Sequence, residues 1–163
     1  MTYTDTHALR GAFVANLLGR LVELIARQGD DLLQDADITV PSRAVSCMLF
    51  VGDKVHASAA DIAKSLNQPH QLVSQRVDVL IGLGFLERVS DPEDRRRKIL
   101  VLTRAGNDQY RRLCARLAEA EQAFGDLFAD IGCDLIDLSE QAISALDNAP
   151  LLHRIQANAS KNQ

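Results

Sequence analysis

The sequence predicts a mainly α-helical chain with one small β-hairpin, and three observations lead there. Apolar residues recur at helical spacing through most of the 163 residues. Between residues 58 and 106, two short helical patterns are followed by a glycine and then by two apolar, strand-like runs. A turn that opens on Asp91-Pro92 separates those runs. Helix, helix, hairpin in that order is a winged helix-turn-helix, and further helices flank it on both sides.

Taken in order, the segment from about His7 to Gln28 carries a broad apolar stripe of Phe13, Leu17, Leu18, Leu21, Leu24 and Ile25. A short helix is expected over Pro41–Val51. Ser58 then precedes Ala59, Ile62, Ala63 and Leu66, one buried stripe behind an N-cap whose hydroxyl accepts an orphan N–H. Asn67 or Gln68 breaks that helix, and Pro69 starts the next at a position where a missing N–H costs nothing. The next helix buries Val73, Val77, Leu80 and Ile81, and Gly84 supplies the left-handed residue that ends it.

Phe85, Leu86 and Val89 form one strand, and Ile99, Leu100, Val101 and Leu102 the other. After Thr103, a suitable N-cap, a long helix runs to about Ile131. Its apolar positions Tyr110, Leu113, Leu117, Ala120, Phe124, Leu127 and Ile131 alternate spacings of three and four. Asp137, with Glu140 three residues on, is expected to cap a further helix bearing Ile143 and Leu146. Leu151, Leu152 and Ile155 follow Pro150.

The second helix of the helix-turn-helix leaves His70, Gln71, Ser74, Gln75 and Arg76 on its open face. A glutamine amide can pair bidentately with adenine, and a guanidinium can grip guanine or a phosphate. A solvated polar face has the same composition, so the helix alone does not decide. The hairpin adds Arg95, Arg96, Arg97 and Lys98, four cations in a row that repel one another unless an anion sits beside them. Glu93 and Asp94 neutralise part of that charge in the alternative reading, a solvated loop. The net charge is −4, yet residues 58–104 hold eight Lys/Arg against six Asp/Glu. Local charge governs docking on a polyanion, while an acidic body suppresses indiscriminate binding.

The run Asp91-Pro92-Glu93-Asp94-Arg95-Arg96-Arg97-Lys98-Ile99-Leu100-Val101-Leu102-Thr103-Arg104-Ala105-Gly106 resembles the wing signature of the MarR family of bacterial transcription regulators. Gly82-Leu83-Gly84-Phe85-Leu86, with Asp78 and Leu80, resembles the family's passage from recognition helix to wing. The resemblance implies a regulator that binds double-stranded DNA as a homodimer, most simply a repressor on a pseudo-palindromic operator. It places Arg96 at the arginine that enters the minor groove and Asp94 at the acid that braces it. Gln75 stands where many members carry arginine, which bears on the preferred bases rather than on the class.

The chain reads as a single winged-helix domain over 1–163, with a DNA-binding lobe at 40–103, the wing at 85–103, and dimerisation helices at 1–35 and 104–158. A helix on the order of 40 Å long is too long to bury its stripe against a lobe of this size. Helices at both ends with surplus apolar surface therefore argue for an intertwined homodimer, with an intramolecular bundle as the alternative. The resemblance also implies a crevice for a small aromatic or phenolic acid, where His7, Arg43 and Cys47 are the polar or reactive candidates.

Three cysteines without a C-x-x-C pair suit a reducing cytoplasm, and the sequence has no apolar run of membrane-spanning length and no evident secretory signal. Cys47 sits in an apolar run, and neither Cys114 nor Cys133 has a basic residue directly beside it in the chain. His7, His56, His70 and His153 are scattered, and neither metal-ligand spacing nor a catalytic motif joins them, so no metal, cofactor or enzymatic activity is expected. Two rival functions remain open from sequence: a winged helix that binds an acidic protein and never touches DNA, and a ligand carrier or enzyme built on the crevice.

Overall fold

The computed structural model describes residues 2–54 and 57–161, so His56 lies outside the described residues. The chain divides into two compact units, residues 1–116 and 117–163. In order, the elements are α1 (Tyr3–Thr6), α2 (Val14–Asp35), α3 (Val45–Asp53), α4 (Ala59–Ser65), α5 (His70–Gly82), β1 (Leu86–Ser90), β2 (Lys98–Leu102), α6 (Arg104–Ile131), α7 (Leu135–Asn148) and α8 (Leu151–Lys161). Short 3-10 turns at Arg10–Phe13 and Ser42–Ala44 lead into α2 and α3.

The core of the first unit is aliphatic. Cys47, Met48, Ile62, Val73, Val77, Leu80 and Leu113 are fully buried there, and Leu33, Val40, Leu86, Ile99 and Leu100 are nearly so. Burying a side chain such as Leu80 contributes roughly 1.5–3 kcal/mol. Because Val73, Val77 and Leu80 lie on one stripe of α5, burying them fixes which residues of α5 face outward. Ile81, expected in the same stripe, is only half-buried because it sits at the edge of that face.

The punctuation follows the chemistry of single residues. Ser58 caps α4 through the Asp61 N–H, and the Asp61 carboxylate accepts the Ser58 N–H in return, a reciprocal box. Asn67 adopts φ 48° to end that helix, and Gly84 adopts φ +75° after α5. Pro69 is the N-cap of α5 rather than its first residue. The wing strands pair antiparallel from Leu86↔Leu102 to Ser90↔Lys98. Ala57 adds a single bridge to Leu100, a third short contact that periodicity does not reveal.

Two elements differ from the sequence expectation. The N-terminal helix is broken: His7 Nδ1 accepts the Leu9 N–H at 3.0 Å, a local turn that competes with helix, and the regular helix starts only at Val14. At the other end, Asp134 and not Asp137 caps α7, its carboxylate accepting from Ile136 N at 2.7 Å and Asp137 N at 3.3 Å. Gly132 at φ +69° stops α6 so sharply that the chain can restart a helix three residues on. The apolar seam of α6 is also divided: Leu113 is fully buried, whereas Phe124, Leu127 and Ile131 are exposed.

Where α6 starts, Thr103 is the cap, its Oγ1 accepting the Gly106 N–H at 2.9 Å and donating to Gly84 O at 2.6 Å. A Cβ on Gly106 would stand 2.0 Å from the Phe85 carbonyl oxygen, a backbone atom that cannot swing aside. Alanine in place of a mid-helix glycine ordinarily stabilises by about 1 kcal/mol. Gly106→Ala is expected to do the reverse, lowering stability by about 1–3 kcal/mol, read as a lower urea midpoint at unchanged slope.

Candidate nucleic-acid interface

Helix α5 begins with an exposed, hydrogen-bonding end. His70, Gln71 and Gln75 are exposed and Ser74 is half-buried, its hydroxyl 3.3 Å from His70 Nδ1. Arg76 does not stand free beside them. Its guanidinium donates to Gln68 Oε1 at 2.6 Å and is partly covered, so it braces the turn between α4 and α5. Asp78 faces β1 and pairs with Arg88 at 2.6 Å, tying the middle of α5 to the wing.

The four cations of the Arg95–Lys98 run separate into distinct roles. Arg97 stays 41% exposed but is held between two carboxylates, Asp61 Oδ2 at 2.5 Å and Asp91 Oδ2 at 3.3 Å. Lys98 donates to Ser90 Oγ at 2.8 Å across the strand pair next to the wing loop. Arg95 and Arg96 are exposed, and neither side chain has a hydrogen-bond or ion-pair partner among the described residues. Asp94 does not touch a guanidinium; its carboxylate accepts the Arg96 backbone N–H at 3.0 Å and shapes the tip. Asp61 and Asp91 are the acids that brace an arginine at the wing, and Asp91 is the one buried charged residue among those described.

Sequence reasoning put Asp91 at the wing turn but gave neither Asp91 nor Asp61 an arginine to hold. Asp91 reads as a turn residue, and Asp61 follows Ser58 by three, the spacing of a capping box that was the available signal. The Asp61 carboxyl is held below the usual carboxylate range, first by hydrogen bonds from Ser58 and then by Arg97. A depressed carboxyl contributes stability above its unfolded value of about 3.9, and that contribution is lost as pH falls through the lower folded value.

The three crevice candidates are not brought together. Arg43 pairs with Glu23 and borders a shallow surface groove of about 300 Å³ lined by Pro41, Ala44, Leu72, Gln75, Arg76 and Val79. His7 lies between the rings of Tyr3 and Phe13, with centroids 5.3 and 5.4 Å away, and does not line the groove. Cys47 is fully buried, and burial pushes its thiol pKa up. Among the described residues no three His, Cys, Asp or Glu side chains are grouped to hold a metal, and no helix is long and apolar enough to cross a membrane.

With that geometry in view, comparison with known proteins gives a consistent answer. Residues 37–97 match the family model described as MarR family. None of the curated proteins matches the chain significantly. Among solved structures, the chain is similar to the transcriptional repressor CouR bound to a 23-mer DNA duplex, at 20% identity and TM-score 0.59, covering 86% of this chain and 94% of that one. CouR from Rhodococcus jostii bound to p-coumaroyl-CoA gives 20% identity and TM-score 0.57 over 82% and 89%. The transcriptional regulator BldR from Sulfolobus solfataricus gives 16% identity and TM-score 0.60 over 91% and 99%. At these identities the likeness establishes the fold.

The cysteines offer a direct check of burial. Cys114 is exposed and Cys47 fully buried. A thiol reagent is expected to modify Cys114 rapidly, and Cys47 only at the rate at which the protein opens or unfolds, as peptide mass mapping over time would show.

Proposed function

We propose that this chain, whose residues 37–97 are a MarR-family segment, is a transcription regulator that binds double-stranded DNA as a homodimer. The observation that carries this reading is the pairing of an exposed polar helix end, His70, Gln71 and Gln75, with a wing tip that presents Arg95 and Arg96 unpaired. Amides and imidazole suit base edges in the major groove. Two unpaired guanidiniums suit the negative potential of phosphates or of a narrow minor groove. Ser74 supports His70, and Arg76 acts from behind by fixing the helix-turn-helix corner.

Dimerisation is supported by apolar surface that each unit leaves uncovered. In α2, Val14, Leu17, Leu18 and Val22 are more than half exposed. In the second unit, Ile143, Leu151, Leu152 and Ile155 are 60% exposed or more. Apolar surface of this extent calls for a partner, and a second copy is the partner proposed. Two recognition helices related by a two-fold axis would read half-sites about 34 Å apart, so the operator is expected to be pseudo-palindromic. Repression by steric occupation, relieved by a small aromatic or phenolic acid, is the regulatory output proposed. The groove beside Gln75 and Arg76, with Arg43 on its rim, is where such an acid would disturb the reading helix.

Two experiments test the reading. In gel-shift titrations against duplexes enriched from a random pool, Arg96→Ala is expected to weaken binding by about 1–3 kcal/mol and to lower the log–log salt slope by about one. Unchanged affinity would remove Arg96 from the interface. In sedimentation, the wild-type chain is expected to run as a dimer, and Leu17→Glu with Leu18→Glu to run as a folded monomer; a monomeric wild type would defeat the two-fold reading.

A further inference from the structure

Arg97 stands in the middle of the basic run, yet its surroundings differ from those of its neighbours. Its guanidinium spans two carboxylates from separate elements: Asp61 in the first turn of α4 at 2.5 Å, and Asp91 at the base of the wing loop at 3.3 Å. Asp91 is 3% exposed, and its other oxygen accepts the Glu93 N–H at 2.9 Å. The same loop is closed along the backbone, with Asp91 N–H donating to Arg97 O at 3.0 Å and Arg97 N–H donating to Asp94 O at 2.8 Å. On the other side, Asp61 Oδ2 also accepts from Ser58 N at 2.8 Å and from Ser58 Oγ at 2.6 Å. One carboxylate thus serves both the helix-turn-helix and the wing.

We propose that Arg97 is a positioning residue and not a nucleic-acid ligand: the Asp61–Arg97–Asp91 clasp ties the wing to the start of α4 and leaves Arg95 and Arg96 as the contacting pair. The inference rests on the DNA-binding reading above for its functional consequence, but the clasp itself is a property of the free protein. A guanidinium suits this role because its planar fork carries two spaced nitrogens, one for each acid, whereas an ammonium would have to reach both from a single atom. Without the clasp the tip would move as a loop, and the geometry that presents Arg95 and Arg96 would be averaged away.

The test uses the full chain with Arg97→Gln, Asp61→Asn, Arg96→Gln and Ser58→Ala, read by amide hydrogen exchange in the wing and by salt-dependent binding to duplexes enriched by the wild type. Arg97→Gln and Asp61→Asn are expected to speed exchange at the Asp91 and Arg97 amides and to weaken binding about tenfold with the salt slope kept. Arg96→Gln is expected to leave exchange unchanged and to lower the slope by about one, as loss of a phosphate contact does. Ser58→Ala, which removes the cap but keeps the ion pair, is expected to leave wing exchange unchanged.

A slope that falls for Arg97→Gln as it does for Arg96→Gln would make Arg97 a phosphate ligand and overturn the proposal. Unchanged wing exchange in Arg97→Gln, or a wing loosened equally by Ser58→Ala, would overturn it as well. If the wild type enriches no duplex, the DNA-binding reading fails, while the exchange results still decide whether the clasp holds the wing.

Discussion

The architecture turns on a single crowded corner, where the end of α5, the start of β1 and the start of α6 meet. Thr103 Oγ1 bonds to Gly84 O, Thr103 N–H donates to Phe85 O at 3.0 Å, and the Gly106 N–H donates back to Thr103 Oγ1. The close approach of Gly106 to the Phe85 carbonyl leaves no volume for a side chain. That corner sets the direction of α5 relative to the wing, because both elements join there. It also gives a physical reason for the spacing Leu102-Thr103-Arg104-Ala105-Gly106: a cap hydroxyl and, three residues on, a position without a Cβ.

From the corner outward, a second layer of polar contacts converts two adjacent elements into one surface. Arg88 reaches Asp78 across the junction of wing and α5. Arg97 reaches Asp61 across the junction of wing and α4. Both pairs are partly exposed, so each contributes little to overall stability in water. Their value lies in geometry: they restrict a hairpin whose strands are anchored in the core but whose residues 92–98 are all exposed, and restriction is what a contact surface needs in order to be complementary before it binds. A basic run that reads as four equivalent charges therefore divides into two structural groups and two available ones.

Much of this was legible in the residues. The caps at Ser58 and Thr103, the left-handed stop at Gly84, the buried Val73–Val77–Leu80 stripe and the extent of the hairpin all come from local rules, because each depends on atoms within a few positions along the chain. The N-terminal helix was misjudged for a related reason. Its apolar stripe is real, but His7 and the residues around it make a local turn that competes with helix, and the stripe itself is largely exposed, so it gives no account of where the helix must begin. The displaced cap at Asp134 likewise reflects a tight helix stop at Gly132 that sets where the next helix can start.

Periodicity, caps and turn chemistry, all encoded locally, were enough for the sequence to determine the winged helix-turn-helix, the open polar face of α5 and the density of positive charge on the wing. Tertiary structure alone decided how those charges are used. Asp61 and Arg97 lie 36 residues apart, and Gln68 and Arg76 eight apart across a turn, so their pairing depends on the angle at which helices and hairpin pack. A charge's neighbours along the chain say what it can do; only its neighbours in space say whether it is already satisfied.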